Sequence, residues 1–419
     1  MLTISSSNEY DKAVFYEVNL RQYTTAGTIR AFMEHLPRLA EMGITVIWLM
    51  PHYPIGEKNR KGSMGSYYSI RDYQAVNPEF GTLDDFKSMV KLAHELRLKV
   101  IIDWVANHAA WDHVWTFSNP EFFVHESNGE FYSPFDWTDV IQFDHGHEPA
   151  HQALREAMRF WIQETDIDGF RADLAHLTPL HFWKEARKQC DAVKSGLIWL
   201  AETEDASFYE AFDLIYAWKW MHGTESFVKN HLPMASFHAI LHEQENQYPY
   251  GAKQLYFTSN HDENSWNGTE FEKYGCYAEA FAIFSFLYPN SVPLIYSGQE
   301  IPNLSRLAFF EKESLKWSEG VLKNKWYQKL AHLRKSISEE QSFQFLPSIG
   351  KCLSFQIGHG QASIWVWLNL DTVPQLALKE SDASLNFIDS MNSCVNTELE
   401  WANPIEPGGY RIWIQTNAS

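Results

Sequence analysis

The run GFRAD, residues 169–173, sets a guanidinium and a carboxylate two positions apart in an otherwise apolar stretch. Residues i and i+2 of a strand share a face, so Arg171 and Asp173 would point the same way. Three more apolar runs end on ionisable side chains. KVIIDWVANH delivers Asp103, Asn107 and His108, LIWLAE delivers Glu202, and QLYFTSNHD delivers His261 and Asp262. Taken singly, each has a plain structural reading: a strand-end Asp is commonly a turn former or helix cap, His261 could be a satisfied core histidine, and Arg171 with Asp173 a structural pair. Taken together, Asp173, Glu202 and Asp262 would repel one another, an arrangement folds avoid unless chemistry requires it. Cleavage of a glycosidic bond with retention requires two carboxyl groups about 5–5.5 Å apart, one ionised as nucleophile and one protonated as acid. Arg171 favours the charged form of Asp173. Glu202, longer and beside other acids, suits proton delivery. A third carboxylate can hold the sugar hydroxyls as the ring distorts.

Such a constellation needs a scaffold that brings several strand ends to one rim. Eight apolar strand candidates run along the chain: AVFYEVNL, ITVIWLMP, KVIIDWV, IDGFRAD, LIWLAE, FDLIYAW, QLYFTSN and VPLIYSG. Helix candidates separate most of them, among them TIRAFMEHLPRLAEMG, closed by Gly43 as C-cap, and LDDFKSMVKLAHELRL. Strands apolar on both faces suit a parallel sheet covered by helices, and eight of them predict a closed (β/α)8 TIM barrel, with active-site residues at the C-terminal strand ends. Residues 106–148 lack a helical period and read as an insertion. From 339 to 419 the pattern changes to short alternating strands, predicting a C-terminal antiparallel β-sandwich. The expected organisation is barrel 1–105, insertion 106–148, barrel 149–338 and tail 339–419.

Composition narrows the partners. The 419 residues are 45% apolar, enough for one large barrel and a small extra domain. Aromatics reach 15%, with 17 Trp, 19 Tyr and 28 Phe, a surplus that suits sugar faces or aromatic packing equally. A net charge of −19 disfavours nucleic acid and anionic membrane. No apolar run approaches the ~18 residues of a membrane span. Cys190, Cys276, Cys352 and Cys394 are widely spaced with no CxxC, so free thiols are expected. The N-terminal run MLTISSSNEYDKAVFYEV has neither a basic start nor an apolar core, which predicts a cytoplasmic protein unless an engineered start has replaced a signal.

DWVANH, GFRAD, the Ala-Glu pair at 201–202 and NHD resemble, in order and spacing, the four signature regions of the α-amylase family (family 13 glycoside hydrolases), and GSMGSYYSIRDYQAVNPEFGTLDDF resembles the family's loop after strand two. The likeness implies Asp173 as nucleophile, Glu202 as acid/base and Asp262 as transition-state stabiliser. It implies Arg171, His108 and His261 as substrate binders, and Tyr68 as the ring stacked on the reacting sugar. It implies Asn107 as a calcium ligand, residues 106–148 as a short B domain and the tail as a C domain. The chain departs from the family at several points: His176-Leu177 replace a common Lys-His pair, Thr203 a common aromatic, and Ser265-Trp266 follow NHD where an arginine is frequent. Gln142 stands where an acidic calcium ligand is common, although Asp144, Asp112, Glu121, Asp136 and Asp139 lie nearby in sequence. The expectation is a retaining hydrolase of α-1,4-glucosidic bonds in starch or maltooligosaccharides that requires no cofactor, with calcium at Asn107 the one candidate. The alternatives are a glucanotransferase or exo-acting relative and, more remotely, a non-catalytic amylase-like binding protein, from which loss of at least one carboxylate would be expected.

Overall fold

The computed structural model describes residues 10–317, 323–337, 341–347, 349–377, 386–389, 391, 395–396 and 403–416. Eight parallel strands close into a barrel: β1 Phe15–Val18, β2 Val46–Leu49, β3 Lys99–Val105, β6 Gly169–Asp173, β7 Ile198–Ala201, β8 Leu214–Tyr216, β9 Lys253–Tyr256 and β10 Ser291–Tyr296. The remaining strands of the insertion are β4 His108–Ala110 and β5 Val140–Gln142. Six of the eight barrel strands fall inside the apolar runs read from sequence, and β9 and β10 begin one residue before theirs. Their side chains are almost wholly buried on both faces, as a sheet inside a helical layer requires.

The helices follow local rules. Leu83–Glu95 opens on a capping box between Thr82 and Asp85, which satisfies two amide groups that a helix start leaves orphaned. The run TIRAFMEHLPRLAEMG is two helices rather than one, Ile29–Met33 and Leu36–Met42, because Pro37 lacks the amide hydrogen a continuous helix needs. Gly43 caps the second at φ 95°, as expected. The insertion is less irregular than its sequence suggests. β4 and β5 pair antiparallel with His108 opposite Gln142, beside a short helix, Val114–Ser118.

By their contacts the residues fall into two compact units. Of the described residues, the first comprises 14–216 and 294–317, and the second 10–13, 217–293 and those from 323 onward. In the first, β3 and β6 pair with Asp103 opposite Arg171, and β6 and β7 with Gly169 opposite Ile198. Gly169 sits at φ 150°, and a Cβ there would lie 2.0 Å from the Ile198 carbonyl oxygen, so only glycine fits.

In the second unit the tail is an antiparallel sheet of β11 Phe343–Phe345, β12 Cys352–Ile357, β13 Ile364–Asn369, β14 Asn386–Asp389, β15 Val395–Asn396 and β16 Tyr410–Thr416. Among the described residues it is one sheet. Trp365, Trp367 and Trp413 build a buried cluster with Leu346, Cys352, Ala377 and Ile405. The buried Arg334, on helix Asn324–Ser336, donates to the backbone carbonyls of Tyr10, Ala13, Phe286 and Ser291. It ties the start of the chain to strand β10 and the helix before it. Cys190, Cys276 and Cys352 are free thiols, as read from sequence. Cys394 and the first nine residues lie outside the described residues. No helix among the described residues is long and apolar enough to cross a membrane.

Candidate active site

Strand β6 delivers Arg171 and Asp173 to one face, as period two demands. Arg171 is fully buried and sits among three carboxylates: Nη1 lies 2.8 Å from Asp173 Oδ1 and 3.0 Å from Asp103 Oδ1, and Nη2 lies 2.9 Å from Glu202 Oε2. Its Nε donates to the Tyr216 hydroxyl at 3.1 Å. Burial alone would lower the Arg171 pKa, but Asp103 and Glu202 raise it well above the ordinary value, so the guanidinium is permanently charged.

This corrects the simple reading of Arg171 as the partner of Asp173 alone. One cation serves three acids. Asp103 is completely buried and accepts hydrogen bonds from Trp48 Nε1 at 3.2 Å and the Tyr68 hydroxyl at 3.1 Å. Asp173 and Glu202 retain slight exposure, 6% each. Glu202 Oε2 also accepts the Leu174 amide at 2.7 Å. Leu174, directly after Asp173, has φ 39° and ψ 49°. A β-carbon residue held there stores strain of about 1–3 kcal/mol, which concentrates at functional sites. The strained turn is what aims that amide at the acid.

Tyr68 is 9% exposed and its ring lies parallel to Phe309, centroids 6.3 Å apart. His108, at the start of β4, is buried, and burial pulls its pKa down to about 4. It is therefore a neutral imidazole near pH 7, able to bond sugar hydroxyls without adding charge. Trp137 of the insertion lies 5.3 Å from it, ring to ring. In the second unit the segment after β9 carries His261, buried at 2%, with Nε2 3.2 Å from Asp262 Oδ2; the Asp262 side chain is 38% exposed. Asp262 opens a five-residue π-helix, Glu263–Asn267, a rare geometry often found at functional sites. Within the first unit the structure therefore gathers Asp173, Glu202, Arg171 and Tyr68, and it places His261 beside Asp262 in the second.

The sequence reading named Asp103 as a strand-end acid but left it out of the chemistry, and it missed Tyr216 and Trp48. The signal for Asp103 was present: an acid inside KVIIDWV has to be paired, and an arginine in another apolar strand is the natural partner.

The calcium reading fares differently. The Asn107 side-chain Nδ2 lies 3.4 Å from His108 Nδ1, and the Asn107 backbone carbonyl accepts the Phe143 amide at 3.0 Å. The acids around it are committed to other cations and amides: Asp139 to Lys61 at 3.1 Å, Asp112 to Arg71 at 3.5 Å and to the Glu57 amide. Calcium wants six to eight oxygens, several from carboxylates. Among the described residues no group of three or more His, Cys, Asp or Glu side chains could hold a metal. Asp139 and Asp112 are thus already paired, and Asn107 bonds His108 through its side chain and Phe143 through its backbone.

An acid pair clasped by one arginine at the C-terminal ends of a closed barrel's strands defines a glycosidase-type centre. A family model, "Alpha amylase, catalytic domain", matches residues 10–122 and 115–342, and the chain belongs to the α-amylase family of glycoside hydrolases. Alpha-amylase 3 of Dictyoglomus thermophilum is 24% identical over 356 residues, 74% of this chain and 68% of its own length. A cyclomaltodextrinase of Thermoanaerobacter pseudethanolicus is 25% identical, covering 82% and 63%. The chain thus spans about two thirds of the length of these curated relatives. Among solved structures, an α-amylase from Lactobacillus plantarum matches with a TM-score of 0.88 at 27% identity, covering 98% of this chain and 100% of that one. A maltogenic α-amylase from Thermotoga neapolitana matches with a TM-score of 0.85 at 29% identity, covering 99% and 100%.

Proposed function

We propose that the protein is a retaining α-glucan hydrolase that cleaves α-1,4-glucosidic bonds in starch or maltooligosaccharides. The observation that carries this reading is the shared guanidinium of Arg171. It bonds Asp173 through Nη1 and Glu202 through Nη2, which brings together the two carboxyl groups that glycoside hydrolysis needs. Asp173 attacks the anomeric carbon while Glu202 gives its proton to the departing glycosidic oxygen. Glu202, now a base, takes a proton from water, which releases the sugar from Asp173. Asp262, assisted by His261, bonds the ring hydroxyls as charge develops, and Tyr68 stacks on the reacting sugar. The α-amylases and the cyclomaltodextrinase among the relatives support an α-linked glucan as substrate. No step is assigned to calcium.

A second reading, transfer to a sugar acceptor, is favoured by one feature. Trp266, four residues beyond Asp262, is 53% exposed and offers an apolar face that would hold a sugar in preference to water. Chromatography of products from starch, maltoheptaose, pullulan, sucrose and trehalose tests both. Shorter maltooligosaccharides alone support hydrolysis, products longer than the starting maltoheptaose support transfer, and no turnover of any α-glucan rejects both.

A further inference from the structure

The segment after β9 carries more chemistry than Asp262. The next residue, Glu263, is an acid only 2% exposed. It forms an ion pair with Lys273, equally buried, on the short helix Glu270–Tyr274 of the same unit. The Lys273 ammonium also lies 3.0 Å from Met221 Sδ and 3.5 Å from Glu225 Oε2, both on helix Trp218–Lys229. An ammonium carries three N–H groups, and here it has three neighbours.

Every polar part of Glu263 is tied down. Its amide donates to Asn260 Oδ1 at 2.8 Å. Its carbonyl accepts the Gly268 amide at 2.9 Å, the bond that closes the π turn. Its Oε1 accepts from Asn267 Nδ2 at 2.9 Å, and its Oε2 meets Lys273. Apolar side chains of similar volume often stabilise a buried place as well as an ion pair does, because the charges have first to leave water. What the pair adds is direction, since hydrogen bonds weaken steeply with angle whereas apolar packing does not. Successive side chains of a helical turn point in different directions. Here Glu263 is held inside, while the Asp262 side chain is 38% exposed. One peptide unit joins the two, so fixing Glu263 leaves the backbone of Asp262 little freedom.

We infer that the Glu263–Lys273 pair positions Asp262: Lys273 holds Glu263 in one orientation, and the shared turn transmits that orientation to the Asp262 carboxylate. Both members are buried and act only through Asp262. The inference rests on the function proposed above, in which Asp262 bonds the ring hydroxyls as charge develops.

The test compares maltoheptaose hydrolysis by the full chain and four variants. They are Asp262→Asn, Glu263→Gln, the double variant Glu263→Gln with Lys273→Met, and that double variant combined with Asp262→Asn. Each is assayed well below its melting temperature. The double variant strands no charge on either member, and its kcat should fall about tenfold or more with KM within about threefold, because only transition-state binding suffers. In the Asp262→Asn background the same two changes should cause no further loss, because residues that act through one another are not additive. A pair that merely held the fold together would lower the melting temperature and leave kcat per folded molecule unchanged. Wild-type kcat in the double variant, or a loss that multiplies with that of Asp262→Asn, overturns the inference, while a crippled Asp262→Asn upholds the catalytic reading. Should the double variant not fold, Glu263→Gln alone, in which Lys273 keeps Glu225, is judged in the same way by a several-fold loss in kcat. Full activity of Asp262→Asn, or no turnover of any α-glucan by the wild type, overturns the role of Asp262 and the inference together.

Discussion

At the scale of single residues, each carboxylate around Arg171 has a distinct expected phenotype. Asp173→Asn removes the nucleophile and is expected to abolish turnover with the melting temperature nearly unchanged; more than a few per cent of wild-type rate would reassign the role. Glu202→Gln should lose about 10²–10⁴-fold on natural glycosides, the usual worth of general acid help. It should lose much less on nitrophenyl glycosides, whose leaving group needs no proton, and equal losses on the two would count against Glu202 as the acid. Tyr68→Ala should weaken substrate binding and turnover. The structure adds a stability cost, because the Tyr68 hydroxyl bonds the buried Asp103; Tyr68→Phe, which keeps the ring, separates the stacking contribution from that bond in a paired melt and kinetic assay. Arg171 with Asp173 was legible because side-chain direction in a strand repeats every two residues. The part played by Asp103 was not, because opposing Arg171 depends on the register between β3 and β6, and 63 residues separate Val105 from Gly169. Nothing local sets that register.

At the scale of elements, the insertion is fastened by an ammonium. Lys61, in the loop after β2, pairs with the nearly buried Asp139, whose backbone carbonyl also accepts the Ser69 hydroxyl at 2.9 Å. Exhaustive chelation is therefore expected to leave the melting temperature and starch activity unchanged. Lys61→Met, which strands a nearly buried carboxylate, should lower the melting temperature by several degrees. Recovery of the wild type on calcium add-back after chelation would contradict this and restore Asn107 as a ligand. The barrel strands were legible because apolar runs of that length between turn residues have few other uses. The break at Pro37 was legible in principle and was overridden by the apolar period on either side. The β4–β5 pairing was hidden because three-residue strands carry too little pattern to register.

At the scale of the whole molecule, buried imidazoles set the response to acid. Burial lowers His52 and His113 to about 3 and His108 to about 4. His52 has neither ring nitrogen bonded and stacks on Phe86 with centroids 4.5 Å apart. Below pH ~6.5 the unfolded chain takes up protons that these folded sites refuse, so each site costs about 1.4 kcal/mol of stability per pH unit until its folded pKa is reached. Stability is thus complete above pH ~6.5 and is lost as pH falls towards 4 and then 3. Melts across that range check it. His52→Phe should flatten the slope by one proton and leave the neutral-pH melting temperature the same or higher; an unchanged slope would mean that His52 titrates in the folded state. Composition could not foretell this, since burial of a histidine is settled only when the strands and helices close over it.

The gap between β6 and β7 is set by an atom that is missing. Gly169 lets the two backbones meet where a methyl group would collide with the Ile198 carbonyl. Further along stand Asp173, at the end of β6, and Glu202, just past β7, the nucleophile and acid of the proposed reaction. The tolerance of that pair is therefore machined four residues upstream of Asp173, at a backbone contact between two strands. A methyl group there would act as a shim, splaying the two reagents apart, so residue 169 would register in a screen as catalytic while contributing no functional group at all.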